Sequence, residues 1–144
     1  MSEVVASIDI DAPPEEVWRT VMDPKRLGEW VTIHRRLLSS SPGKMEQLLH
    51  LRGANFKVHW DLVKDDAPHH AEWHGKGPAR SHAETEYRLR DNGNGGTRFD
   101  YRNEFKAPFG PLGAVASRAL VGGLPKREAE ATLRKLKALL EKDR

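Results

Sequence analysis

The chain contains no cysteine, which excludes disulfides, zinc–thiolate sites and thiol nucleophiles. No apolar run approaches the roughly 20 residues that a membrane-spanning helix needs. Residues Met1 to Ile10 lack a basic segment followed by an apolar stretch, so a cytoplasmic location is expected. Internal repeats and low-complexity tracts are missing too. No basic stripe interleaved with stacking groups is visible, and nucleic acid is not an expected partner. Glycine clusters at Asp91 to Gly96, ahead of a strand rather than a helix. A phosphate-binding loop is therefore not expected, and neither is a cofactor.

What is present fits one domain over residues 1–144, long enough to bury a sizeable core. The formal net charge is +3. Residues 126–144 hold seven Lys or Arg and four Asp or Glu, which accounts for all of it. Cations near a helix C-terminus favour its negative dipole end, so a solvated helix explains the excess without a polyanion.

The clearest local signal is the turn Asp91-Asn92-Gly93-Asn94-Gly95-Gly96 between two alternating runs. Upstream, Ala83, Thr85, Tyr87 and Leu89 oppose His82, Glu84, Glu86 and Arg88; downstream, Phe99, Tyr101, Asn103 and Phe105 oppose Arg98, Asp100, Arg102 and Glu104. Period-two alternation around a glycine and asparagine turn predicts a hairpin with one apolar face. Val4 to Ile10 alternates in the same way and predicts a first strand. Pro13-Pro14-Glu15-Glu16 then suits a helix N-terminus, and Asp23-Pro24 starts a second short helix ending around Gly28 to Trp30. Turn signals at Ser41 to Lys44, Arg52 to Asn55, Asp65 to Pro68, Lys76 to Pro78 and Asp91 to Gly96 divide the rest into six strands.

Leu112, Val115, Ala116, Ala119 and Leu120 repeat at helical spacing, as do Ala129, Leu133, Leu136 and Leu140. Gly122, Gly123 and Pro125 predict a kink or break between the two sets. That break is either a hinge that admits a ligand or a static bend. One helix about 10 Å across cannot cover seven strands, so the sheet must curl around it. The interior is then either filled by side chains or left as an apolar cavity of the kind that binds small molecules.

Strand, two short helices, six-stranded meander and long C-terminal helix: this order resembles the START or helix-grip (SRPBCC) superfamily. The opening Ile8-Asp9-Ile10-Asp11-Ala12-Pro13-Pro14-Glu15-Glu16-Val17-Trp18 is similar to that of its bacterial members, as are Asp23-Pro24 and Trp30. So is the close, from Glu104-Phe105 and Pro108-Phe109-Gly110-Pro111-Leu112-Gly113 to Leu139-Leu140-Glu141. The superfamily groups polyketide cyclases and dehydrases, lipid-transfer domains and plant binders of hydrophobic ligands. The resemblance implies an α+β fold, a seven-stranded curled antiparallel sheet wrapped around the C-terminal helix, with an elongated apolar cavity between them.

With apolar faces inward, the early strands would line that cavity through Leu49, Leu51, Phe56, Val58, Trp60 and Trp73. The late hairpin would add Thr85, Tyr87, Phe99, Tyr101, Asn103 and Phe105, and the far side Phe109, Leu112, Val115 and Leu120. For any single aliphatic residue plain core packing is the more common role. Trp60, Trp73, Tyr87 and Tyr101 carry a polar tip that needs a partner when buried. Gln47, Thr85 and Asn103 share the inward phase, and Arg35 joins them if the second strand runs in register.

By phase His50, His59, His74, His82, Asp61 and Glu84 fall on the outer face, which leaves the interior without the groups that general acid–base work recruits. His69, His70 and His74, with Glu72, lie on turn and strand and are read as surface groups, so no metal site is expected. The interior therefore suits binding of a hydrophobic small molecule: a lipid, an isoprenoid or an aromatic polyketide. The alternative is a polyketide cyclase, aromatase or dehydratase in the same cavity, with Tyr87, Tyr101, Asn103 and Arg35 orienting the substrate and shuttling protons. A third reading is an adaptor that docks a protein partner through the basic final helix.

Overall fold

Turn residues and period-two alternation produce the elements that the sequence predicts. The computed structural model describes residues 2–106 and 123–142. Strand β1 (Ser2–Ile10) leads into helix α1 (Pro14–Val21) and a 3₁₀ segment, Pro24–Glu29. Pro14 in the first turn has no N–H to leave unpaired, and Glu15 and Glu16 meet the positive end of the helix. The Asp23 carboxylate accepts from the Lys25 backbone N–H at 3.0 Å and starts the 3₁₀ segment. Then come β2 (His34–Ser41), β3 (Lys44–Leu51), β4 (Ala54–Asp66), β5 (His70–Lys76), β6 (His82–Asp91) and β7 (Thr97–Lys106), and finally helix α2 (Lys126–Glu141).

All seven strands form one sheet in the order β1-β7-β6-β5-β4-β3-β2, with every neighbour antiparallel. This is the α+β helix-grip architecture. The β6–β7 hairpin pairs Tyr87 with Tyr101 and Leu89 with Phe99. Its turn holds Gly93 and Gly95 at φ 87° and 79°, a region that only glycine enters without steric cost. The Asn92 side-chain oxygen Oδ1 accepts from the backbone N–H groups of Asn94 and Gly96 at 2.9 and 3.2 Å.

Helix α2 buries Ala129, Leu133, Leu136 and Leu140, the stripe that its period predicts. It packs along β1, an edge strand whose outer carbonyls have no strand to pair with. Lys126 Nζ donates to the Val5 carbonyl, and Lys137 Nζ donates to that of Asp9 at 2.9 Å. These two cations occupy the exposed edge. No basic residue lies in the last turn of α2. Two of the C-terminal cations thus serve the sheet edge, while Lys142 stands at the C-cap of α2.

The C-terminal side of the predicted break is seen at the start of α2. Gly123 has φ 67°, Pro125 is the N-cap, and α2 begins at Lys126. Gly122 lies outside the described residues, as do Leu112, Val115, Ala116, Ala119 and Leu120 of the predicted forward half. The Gly123 carbonyl accepts from Arg52 Nη1 at 3.0 Å, tying the β3–β4 turn to the start of the helix.

The outer face of the sheet is a charge lattice. Arg102 reaches the carboxylates of Glu3, Glu72, Glu84, Glu86 and Glu104 at 3.3 to 3.8 Å.

Candidate functional site

One row across the inner face of the sheet runs Met45, Trp60, Gly75, Ala83 and Phe105, and the Trp60 ring lies over Gly75, which has no side chain to displace it. A cavity of about 110 Å³ lies on this face, comparable to an engineered apolar cavity that accepts a single aromatic ring. Leu27, Trp30, Val31 and Ile33 close it from the 3₁₀ segment and the loop after it, and Leu124 and Thr132 from the helix side.

Most of the residues expected to face inward do line this space. Leu49, Leu51, Phe56, Val58, Trp60 and Trp73 form its wall on β3 to β5. Thr85, Tyr87, Tyr101, Asn103 and Phe105 form it on β6 and β7. Phe99 does not: it is fully buried behind the wall, packed edge-on against Trp30 at 6.5 Å and tilted against Tyr87 at 5.5 Å. Arg35 is exposed on β2 and is absent from the wall, because β2 carries register shifts between His34 and Arg36 and between Leu37 and Ser39 that break a simple alternation. Phe109, Leu112, Val115 and Leu120 lie outside the described residues.

Two polar groupings interrupt the apolar wall. At one, Trp60 Nε1 donates to Gln47 Oε1 at 2.9 Å, and Gln47 Nε2 lies 2.9 Å from His34 Nδ1. An indole nitrogen only donates, so the Gln47 atom beside it is the oxygen and the atom beside His34 is the NH₂. His34 Nδ1 must then accept, which places the proton of the neutral ring on Nε2. Desolvation lowers the pKa of His34 and agrees with a neutral ring.

At the other, Asn103 Nδ2 donates to Thr85 Oγ1 at 2.9 Å. Polar contact with Asn103 and Thr85 partly opposes the rise that burial gives the Tyr101 hydroxyl. Tyr87 stacks on Tyr101 with ring centroids 6.1 Å apart. Burial pushes both phenols far above their ordinary range, so at neutral pH they act as hydrogen-bond donors and not as bases.

Residues at the wall and beside it escaped the sequence, among them Trp30, His82 and, outside the lining but bonded to Gln47, His34. Trp30 lies in no strand, so no alternation marks it; fully buried, its indole nitrogen has no hydrogen-bond partner among the described residues. His34 was hidden by the irregular register of β2. His82 is exposed and in register with Lys76 and Lys106, as its outward phase predicts, and it also reaches the rim of the cavity beside Ser81 and Ala83, where β6 emerges from the 3₁₀ turn Pro78–Arg80.

The histidines weighed as a metal set do not converge. His69 Nδ1 is bound to the Leu89 carbonyl and His70 Nε2 to Glu86 at 3.0 Å. Glu72, His74 and Glu84 do bring ligand atoms within 4.8 Å of one another on the outer face. Arg102 already stands 3.8 and 3.6 Å from the two glutamates there.

Comparison with known proteins follows the same lines. A family model described as polyketide cyclase / dehydrase and lipid transport matches residues 1–141. An uncharacterised protein of Mycobacterium tuberculosis is 30% identical over 134 residues, covering 88% of this chain and 93% of the relative. Another protein of that organism, named a toxin, is 27% identical over 127 residues, with 83% and 88% covered. The crystal structure of the ZhuI aromatase/cyclase from a Streptomyces species superposes with a TM-score of 0.75 at 13% identity, covering 97% of this chain and 93% of the other. Among the described residues, no helix is long and apolar enough to cross a membrane.

Proposed function

Because this chain belongs to the polyketide cyclase / dehydrase and lipid transport family, we propose that its cavity binds and carries a hydrophobic small molecule such as a lipid, an isoprenoid or an aromatic polyketide. One observation carries this reading: among the described residues of the wall there is no Asp, Glu, Lys or Arg. An ionised ligand would leave water without gaining a partner charge, at a cost of several kcal/mol. An uncharged one loses only its hydration and gains apolar contact at roughly 25 cal/mol per Å² of area buried. Native mass spectrometry of the purified protein, with a thermal-shift panel of fatty acids, sterols and polyaromatics, tests it. Retention or stabilisation by uncharged members is the expected result; no bound species and no stabilising compound across the panel would count decisively against it.

A second reading, cyclisation, aromatisation or dehydration of a polyketide-like chain in the same cavity, has one specific support. The Tyr101 hydroxyl shares the wall with the bonded pair Asn103 and Thr85 and offers a donor for a ketone oxygen. Its weakness is the missing base, since His82 is the wall's one histidine among the described residues and stands at the rim. Turnover of a poly-β-ketone mimic that survives unchanged in Tyr101→Phe and Asn103→Leu would remove those residues from any such chemistry.

A further inference from the structure

Within the cavity reading above, on which this inference rests, the Gln47 amide has a property that the other wall groups lack: its orientation is fixed from both sides. Gln47 is only 4% exposed. Its oxygen is held by the Trp60 N–H and its nitrogen by His34 Nδ1. The three residues sit on β4, β3 and β2 in turn, so the amide bridges neighbouring strands and both bonds run within the wall. A primary amide has two N–H groups, and His34 uses one. The other remains on a side chain that borders the cavity. A buried donor without a partner is costly. The fully buried indole nitrogen of Trp30, which also belongs to a wall residue and has no partner among the described residues, is a second group of this type.

We infer that the cavity selects an uncharged aromatic compound bearing a carbonyl oxygen, and that Gln47 is the specificity-determining residue, donating its second amide hydrogen to that oxygen. His34 acts through Gln47 as a positioning residue. With a hydrocarbon at position 34 the amide is held from one side only. A carbonyl oxygen satisfies donors already in place and introduces no charge. A carboxylate of the same size brings a charge for which the described wall has no counter-ion.

Three matched single-ring probes test the inference: acetophenone, ethylbenzene and benzoate, titrated by calorimetry against the full chain. Gln47→Leu should weaken acetophenone about three- to tenfold, the range of one net hydrogen bond, and leave ethylbenzene within twofold or tighter. Benzoate should bind more weakly than acetophenone to the natural chain. His34→Leu should lower the acetophenone-to-ethylbenzene affinity ratio and His34→Asn, whose side-chain oxygen still accepts from Gln47, should restore it. This rescue separates positioning from a general loss of packing, and it also carries the test if Gln47→Leu fails to fold. Equal weakening of acetophenone and ethylbenzene in Gln47→Leu, or equal ratios in both His34 variants, overturns the role of the amide while the cavity reading survives. Failure of both neutral probes to bind the natural chain overturns both.

Discussion

Gly75 lies directly against the ring of Trp60: a Cβ at that position would stand 2.8 Å from two carbons of the six-membered ring and 2.9 Å from Val58 Cγ1. Both neighbours are buried wall residues, so neither is the free end of a flexible chain. Gly75→Ala should therefore destabilise the fold by about 1–3 kcal/mol, the usual cost of overpacking, read as a lower urea midpoint with an unchanged slope. The penalty should shrink in a Trp60→Leu background. A fully additive pair would show that the contact is not its source.

His34 makes stability depend on pH. Its folded pKa is lowered by burial below the ordinary value of 6.5, so between the two values the unfolded chain binds more protons than the native one. Stability from this group is present above about 6.5 and declines as pH falls towards the folded pKa. Replacing His34 with Asn should flatten that part of the stability profile relative to the natural chain. Nitrogen-detected NMR should find the neutral ring protonated on Nε2, and a proton on Nδ1 would contradict the Gln47 orientation.

The two tyrosines of the chain, Tyr87 and Tyr101, should resist ionisation. Both pKa values are raised, chiefly by burial. Ultraviolet titration should show no tyrosinate near pH 10, where an exposed phenol is half ionised, until the protein unfolds. Since the unfolded phenols ionise first, stability held below about pH 10 is lost as pH rises. Early, reversible ionisation of the native protein would mean that the phenols are solvated.

Lys137 bonds both the Asp9 carbonyl and the Glu141 carboxylate, at 2.9 and 2.7 Å. Lys137→Met should cost about 1 kcal/mol, and combining it with Lys126→Met should raise self-association, because the outer carbonyls of β1 lose their donors. Analytical ultracentrifugation reads this directly. A double variant that stays as dispersed as the parent would deny the lysines a protective role.

Most of the scaffold was legible because period-two patterns and turn residues are local. Gly93 and Gly95 announced the β6–β7 hairpin, and the inward phase placed Gln47, Thr85, Tyr87 and Asn103 on the wall correctly. Alternation failed wherever strands were irregular. It could not place Arg35 or expose His34 on the shifted β2, it did not show that the outward His82 also reaches the cavity rim, and it was silent on Trp30 in a loop. Nor did it separate Phe99 from its wall-lining neighbours, since phase distinguishes the two sides of a sheet but not depth along one side. The bond from Trp60 through Gln47 to His34 is tertiary in origin, with each residue contributed by a different strand.

The position of Arg102 makes the outer sheet unequal in its tolerance of change. Each of its five surrounding glutamates has four others nearby, so neutralising any one of them relieves crowding as much as it forfeits attraction. Removing Arg102 leaves Glu3, Glu72 and Glu84 without the guanidinium between them, while Arg88 still reaches Glu86 and Lys106 still reaches Glu104. Drift among the acids should therefore be cheap and drift at Arg102 dear, an imbalance that a saturation library sorted on folding would reveal as a lone intolerant position amid permissive ones.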